Sequence, residues 1–323
     1  MRAVRERVRR TIRRHALCPR GSRVLVGLSG GSDSVALTFL LRDLAQPLGF
    51  TIAGVAHVNH HLRESAARDE AFCRALSERL GLTILVEHVH VKPMAQDFSL
   101  SIEDAARRAR YAALEHAADE VGAARIAVGH TIDDQAETFV LKLVRGAGAA
   151  GLGGIYASRG RIVRPVLEAS RAELRDYLSS LGEAWMDDET NADVSNPRNR
   201  VRHDVLPHLE AALGLPARRA IARAAGLMGE DAVWLDDVAA ERLRGLAIET
   251  PAGLELDAER LRLEPPPLAR RILLRALRGR AAGREIGLEH VQTALDVLTG
   301  LCGGAEVPGS RVELRGKKLV LRQ

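Results

Sequence analysis

The sequence predicts an α/β protein: a doubly wound parallel sheet followed by a smaller, mainly helical C-terminal domain. Three observations carry this expectation. Five apolar runs, RVLVGL, TIAGVAHV, LTILVEHV, ARIAVGH and RIVRPVL, read as strands. Longer stretches of helical periodicity lie between or after them, notably SIEDAARRARYAALEHAADEV and DDQAETFVLKLV, and strands alternating with helices build parallel sheets. The chain's 323 residues also exceed what one core usually needs, so two domains are expected.

Taken in order, the first segment is MRAVRERVRRTIRRHAL, with seven arginines in its first fourteen residues. It lacks the apolar core of a signal peptide, and no stretch of the chain is long enough to span a bilayer, so a cytoplasmic location is expected. Arginine clusters here and at Arg198, Arg200, Arg202, Arg218, Arg219 and Arg223 suit a polyanionic partner as well as they suit solvated helix faces. Three scattered cysteines, Cys18, Cys73 and Cys302, suggest neither a disulfide framework nor a metal centre.

The first strand runs straight into SGGSDS and a helix. Backbone N–H groups at a helix N-terminus make an anion site, and Gly30 and Gly31 admit a phosphate close to the main chain. The lysine of an ordinary P-loop is missing and Asp33 stands in the loop, so the turn suits phosphates but not the usual γ-phosphoryl transfer. In HVNHH, the histidines His57, His60 and His61 lack a partnering carboxylate nearby and read as hydrogen-bonding or packing groups rather than metal ligands. Glu103, Arg107 and Arg110 share a helical face, which serves either salt bridging or the aiming of an arginine at an anion. Asp133, Asp134 and Glu137 open a helix at the ligand edge of the sheet, where they suit a divalent cation, a substrate ammonium, or both.

GAGAAG matches a dinucleotide fingerprint letter for letter but follows a helix instead of a strand, so we read it as a flexible connection able to act as a lid. After about Leu213 the pattern changes. A helical linker is expected over 216–246, and a small domain over 247–323 with two helices, PPLARRILLRALRG and LEHVQTALDVLTG, and a terminal hairpin, RVELRGKKLVLRQ.

SGGSDS after a strand resembles the signature of the PP-loop ATP pyrophosphatases. Together with HVNHHLR, EDAARRARY, GHTIDDQAET, LVRGAG and NRVRHDVLP it resembles the tRNA(Ile)-lysidine synthetase family over most of the first 215 residues. The resemblance implies that residues 1–215 form a PP-loop ATP-binding catalytic domain and that 247–323 contact tRNA. It implies that ATP is split to AMP and pyrophosphate, that the wobble cytidine of a CAU-anticodon tRNA(Ile) is adenylated, and that L-lysine then displaces AMP. Under it, Ser29, Gly30, Gly31, Ser32, Asp33, Ser34 and His57 bind ATP, with Asp33 organising Mg2+. Asp134 and Glu137 hold the lysine ammonium, Arg110 and Arg202 act in catalysis, and Arg63, Arg200 and Arg202 meet the tRNA. A homodimer is compatible with the family. Three rivals share the loop: a tRNA-thiolating enzyme, an amidating synthetase making a nucleotide cofactor, and an ATP-binding regulator. The first usually needs cysteine pairs, the second leaves HVNHHLR and NRVRHD without a purpose, and the third gives DDQAET no duty.

Overall fold

The computed structural model describes residues 2–61, 66–91, 93, 96, 101–187, 195–251 and 253–322, with only the backbone of Glu103. They form two compact units, 1–227 and 228–323.

In the first unit the expected strands are present. β1 (Arg23–Gly27), β2 (Thr51–Asn59), β3 (Ile84–His88), β4 (Arg125–Ala127), β5 (Ser158–Arg159) and β6 (Ile162–Val163) form one sheet in the order β3-β2-β1-β4-β6-β5. All pairings are parallel except β5 with β6. Helices α1 (Arg2–Arg14), α2 (Ser32–Leu48), α3 (Ala66–Leu80), α4 (Ile102–Glu120) and α5 (Ile132–Leu143) include the crossovers. Strand residues alternate between two buried layers, which is why β1 reads as a continuous apolar run. Val24 and Val26 pack with Val8, Leu41 and Leu76 on one face, and Leu25 packs with Leu114 and Ile126 on the other. Strand order reverses between β1 and β4, so their following loops diverge and open a crevice at the strands' carboxyl ends. SGGSDS and GHTIDD are those two loops.

GAGAAG follows α5, and the stretch expected as a flexible connection contains a helical turn, α6 (Ala149–Leu152). The Gln135 amide ties its far end to α5, donating to the Gly153 carbonyl at 3.0 Å and accepting from Ile155 N at 2.6 Å. Next come α7 (Arg171–Leu181), α8 (Pro197–Arg200), a π-helical turn over Val201–Val205, and α9 (Leu206–Leu213).

The stretch expected as a linker is one helix, α10 (Ala217–Leu246), whose start belongs to the first unit and whose remainder belongs to the second. In the second unit α11 (Ala258–Arg262), α12 (Pro266–Arg280) and α13 (Leu288–Thr299) pack on an antiparallel sheet ordered β7-β8-β11-β10-β9. Its strands are β7 (Ala247–Thr250), β8 (Gly253–Asp257), β9 (Gly304–Val307), β10 (Ser310–Arg315) and β11 (Lys318–Arg322). The hairpin β10–β11 was legible in sequence; the other three strands, four or five residues each, were not. Among the described residues, no helix is long and apolar enough to cross a membrane.

Candidate active site

The phosphate-type loop is built by its own side chains. Gly30 takes φ +89°, a left-handed conformation that favours glycine, and Gly31 caps α2 in extended geometry. The Ser34 hydroxyl donates to the Gly31 carbonyl at 2.9 Å and accepts from Ser29 N–H at 3.1 Å. Ser34 therefore shapes the loop from within, while Ser29, Gly31, Ser32 and Asp33 also line the crevice. Beneath them His57 is buried, and its Nδ1–H donates to the Leu28 carbonyl at 3.0 Å. Burial pushes this imidazole below its ordinary pKa, so it is a neutral brace.

Gly129, at the end of β4, touches the same loop. A Cβ there would stand 3.0 Å from the Asp33 carbonyl carbon and 3.1 Å from Ser34 N, so the loop would have to yield by a few tenths of an ångström. Gly129→Ala should cost about 1–3 kcal/mol of stability and lower ATP turnover more than ATP affinity. Denaturant unfolding and initial-rate kinetics check both.

The carboxylates come from the first turn of α5. Thr131 and Asp134 form a capping box, with Asp134 Oδ2 accepting from Thr131 N at 2.8 Å. That bond leaves Oδ1 for the crevice. Glu137, one turn on, is completely buried. Three arginines neutralise the group. Arg171, in the first turn of α7, reaches Asp33 at 3.1 Å, Asp134 at 3.2 Å and Glu137 at 3.6 Å. Arg198 reaches Asp134 at 3.0 Å and Glu137 at 2.8 Å, and Arg202 reaches Glu137 at 2.6 Å. Three carboxylates thus face three guanidiniums, which is how so much charge is tolerated out of water.

Burial raises Asp134, but Arg171 and Arg198 outweigh it and hold the carboxyl well below the usual range. Asp33 shifts the other way, because burial and the charge of Asp134 together exceed the pull of Arg171. Neighbouring carboxylates pushed apart in this way are a mark of functional sites.

Opposite them lies a cationic wall. Arg107 and Arg110 flank the Tyr111 ring, with guanidinium carbons 5.5 and 5.4 Å from its centroid. Arg164 donates to His130 Nδ1 at 3.2 Å and lies 3.5 Å from the Tyr111 hydroxyl. Burial depresses both Arg110 and His130. Loop, carboxylates and wall enclose one cavity of about 910 Å³, a size suited to a nucleotide.

The structure therefore brings Ser29, Gly31, Ser32, Asp33, Ser34, His57, Arg110, Asp134 and Arg202 to a single cavity. Gly30 supplies the turn, and Glu137 lies just beneath, holding the arginines. Arg200 is exposed on the far side of its helical turn and does not line the cavity, and Arg63 lies outside the described residues. Sequence reasoning did not single out Arg171 or Arg198 as site residues, and its expectation for Arg200 was a contact with tRNA, not a place in the cavity. Helical spacing could have found Arg198, since it stands four residues before Arg202 and hence on the same face. Cys18 and Cys73 are buried with thiols pushed up to about 12, so neither is poised as a nucleophile.

The PP-loop domain family matches residues 4–209. The chain is 38% identical over 327 residues to a tRNA(Ile)-lysidine synthase of Geobacter sulfurreducens, covering 99% of this chain and 67% of that one. It is 40% identical over 323 residues to a tRNA(Ile)-lysidine synthase of Thermobifida fusca, covering 98% and 94%. The chain belongs to the tRNA(Ile)-lysidine synthase family. Some relatives are longer: the chain spans 64% of the lysidine synthase of Dehalococcoides mccartyi, to which it is 34% identical. Among solved structures, the U34-tRNA thiolase NcsA from Methanococcus maripaludis superposes with a TM-score of 0.60 at 18% identity, covering 71% of this chain and 78% of that one. This likeness places the fold of the lysidine synthase family beside that of a thiolase and carries nothing about chemistry.

Proposed function

We propose that the protein ligates L-lysine to C2 of the wobble cytidine in CAU-anticodon tRNA(Ile), with consumption of ATP, in the cytoplasm. The product, lysidine, moves decoding from AUG to AUA. The reading is supported above all by one juxtaposition: a lysine-free phosphate loop and the arginine-locked Asp134, with Glu137 just beneath it, meet at one cavity. In the first step the cytidine 2-oxygen attacks the α-phosphorus, forming an O–P bond and breaking the bond to pyrophosphate. In the second, the lysine ammonium gives up a proton through the Asp134 and Glu137 carboxylates, its freed nitrogen attacks C2, a C–N bond forms, and AMP leaves with the former carbonyl oxygen.

The loop N–H groups would hold the departing pyrophosphate. Asp33 fits a hard cation, since its carboxylate is partly open to the cavity beside that loop. It would hold Mg2+, which would spread charge on the phosphates. Asp134 and Glu137 would hold the lysine ammonium once the arginines move onto phosphate. Arg171 and Arg198 are what hold the Asp134 carboxyl low at rest, so their departure frees it both to place the ammonium and to relay its proton. Arg110 and Arg202 would steady charge developing in transfer.

Mass analysis of the wobble nucleoside, after incubating tRNA with ATP and lysine, tests the reaction: cytidine should gain the mass of lysine less water. The order of events is tested by pyrophosphate exchange. We expect exchange with ATP and the CAU-anticodon tRNA when lysine is omitted, and none with ATP and lysine alone. Robust exchange in the latter mixture would overturn cytidine activation.

A further inference from the structure

We propose that the arginine face of α1 is a docking surface for the phosphate backbone of the RNA arm that carries the target cytidine. The inference rests on the lysidine reading and adds to it an interaction outside the catalytic cavity.

Helix α1 has thirteen residues and buries Val4, Val8, Thr11 and Ile12 on one side. Arg2, Arg5, Arg10 and Arg13 are exposed on the other. This charge works against the helix itself. Arg2 and Arg5 sit in or beside a first turn that has no acidic residue, where the macrodipole disfavours cations. Along the helix, Arg9 is met by Glu6 at 2.9 Å, a single carboxylate among seven arginines. Some arginines elsewhere in the chain are met by carboxylates: Arg271 by Asp236, Arg311 by Glu306 and Glu313, and Arg315 by Glu313. Among the described residues, Arg2, Arg5, Arg10 and Arg13 meet no carboxylate, and they stand together on the exposed side of one helix, a concentration of like charge that suits a row of phosphates.

Position points the same way. Helix α1 lies along α7, with Arg7 bound to Glu173 at 2.6 Å and His15 within 3.9 Å of Glu168. Glu173 also binds Arg219 at 2.9 Å. It stands two residues from Arg171, and Arg219 follows Arg218; both Arg171 and Arg218 line the catalytic cavity. The exposed arginines therefore continue the cavity's positive charge outward. Because α1 joins the cavity-lining stretch through Glu173, the phosphates it meets belong to the stem next to the target base. The apolar stripe is spent on the core, which leaves nothing to insert into a membrane.

The test uses the full chain and an isolated CAU anticodon stem–loop. With Arg2, Arg5, Arg10 and Arg13 all replaced by Gln, affinity should fall about tenfold or more, and the slope of log K against log salt should flatten by about 0.7–0.9 for each phosphate left without its arginine. ATP binding and thermal midpoint should stay as in the wild type, showing that the fold is intact. Lysine at the same four positions should restore affinity to within about threefold, since a phosphate accepts either cation. Unchanged affinity and slope in the Gln variant overturn the docking surface, as does failure of the Lys variant to rescue. A wild-type protein that neither binds nor modifies the stem–loop would instead sink the lysidine reading, so the two failures are distinguishable.

Discussion

Asp33→Asn should fold normally and consume ATP about 10²-fold more slowly or worse. Asp33 stands on the first turn of α2 with its side chain about one-fifth exposed, so the change leaves the core alone. Asparagine can still accept the bond that Arg171 Nε makes to Oδ2 at 3.1 Å, and stability should stay within about 1 kcal/mol of wild type. What disappears is the negative charge that the phosphate loop itself carries, and with it the group proposed to hold Mg2+. Pyrophosphate release by the purified variant, alongside its unfolding curve, reads both halves. Wild-type turnover in a folded variant would remove the catalytic role assigned to Asp33.

Glu137→Gln has the other large expected effect, and it falls on two quantities at once. Glu137 is fully buried and shared among Arg171, Arg198 and Arg202. Removing its charge leaves guanidiniums buried with too little compensation, which should cost about 3 kcal/mol. Lysine should suffer too, with its KM raised about tenfold or more once a charge-assisted hydrogen bond is removed. ATP's KM should change much less, because the phosphate loop lies on a different element. An unaltered lysine KM would end the assignment of Glu137 to the ammonium, whatever the stability measurement returned.

The fold was legible because buried parallel strands and amphipathic crossovers leave long, regular signals. RVLVGL and TIAGVAHV are apolar on both faces since each face packs against helices, and RIVRPVL stops early where Pro165 cannot donate to a sheet. SGGSDS and DDQAET were legible because a chemically odd cluster at a helix start has few structural excuses. Arg171 was not, since ASRAEL looks like any capped helix; only the meeting of the α5 and α7 N-termini, where Arg171 N–H donates to Asp133 at 2.8 Å, gives it meaning. Arg198 was hidden by neighbours of the same type. The π-helical turn at Val201–Val205 follows directly, and Arg198 and Arg202 face Glu137 while Arg200 faces solvent. Strands β7, β8 and β9 were missed because a four- or five-residue antiparallel strand carries too little pattern to stand out from a loop.

Under the proposed reaction, the locked carboxylates make the resting protein its own competitive inhibitor. Guanidinium nitrogens already sit against both oxygens of Glu137, at 2.6 and 2.8 Å, in the place proposed for an amine. Under the proposed reaction an amine's apparent dissociation constant is its intrinsic value divided by the fraction of molecules whose arginines have let go. A stray cation can offer those arginines nothing in exchange, whereas an arriving polyanion can. Selection against the wrong amine then begins before any amine is inspected, as a matter of when the vacancy opens rather than of what fits it.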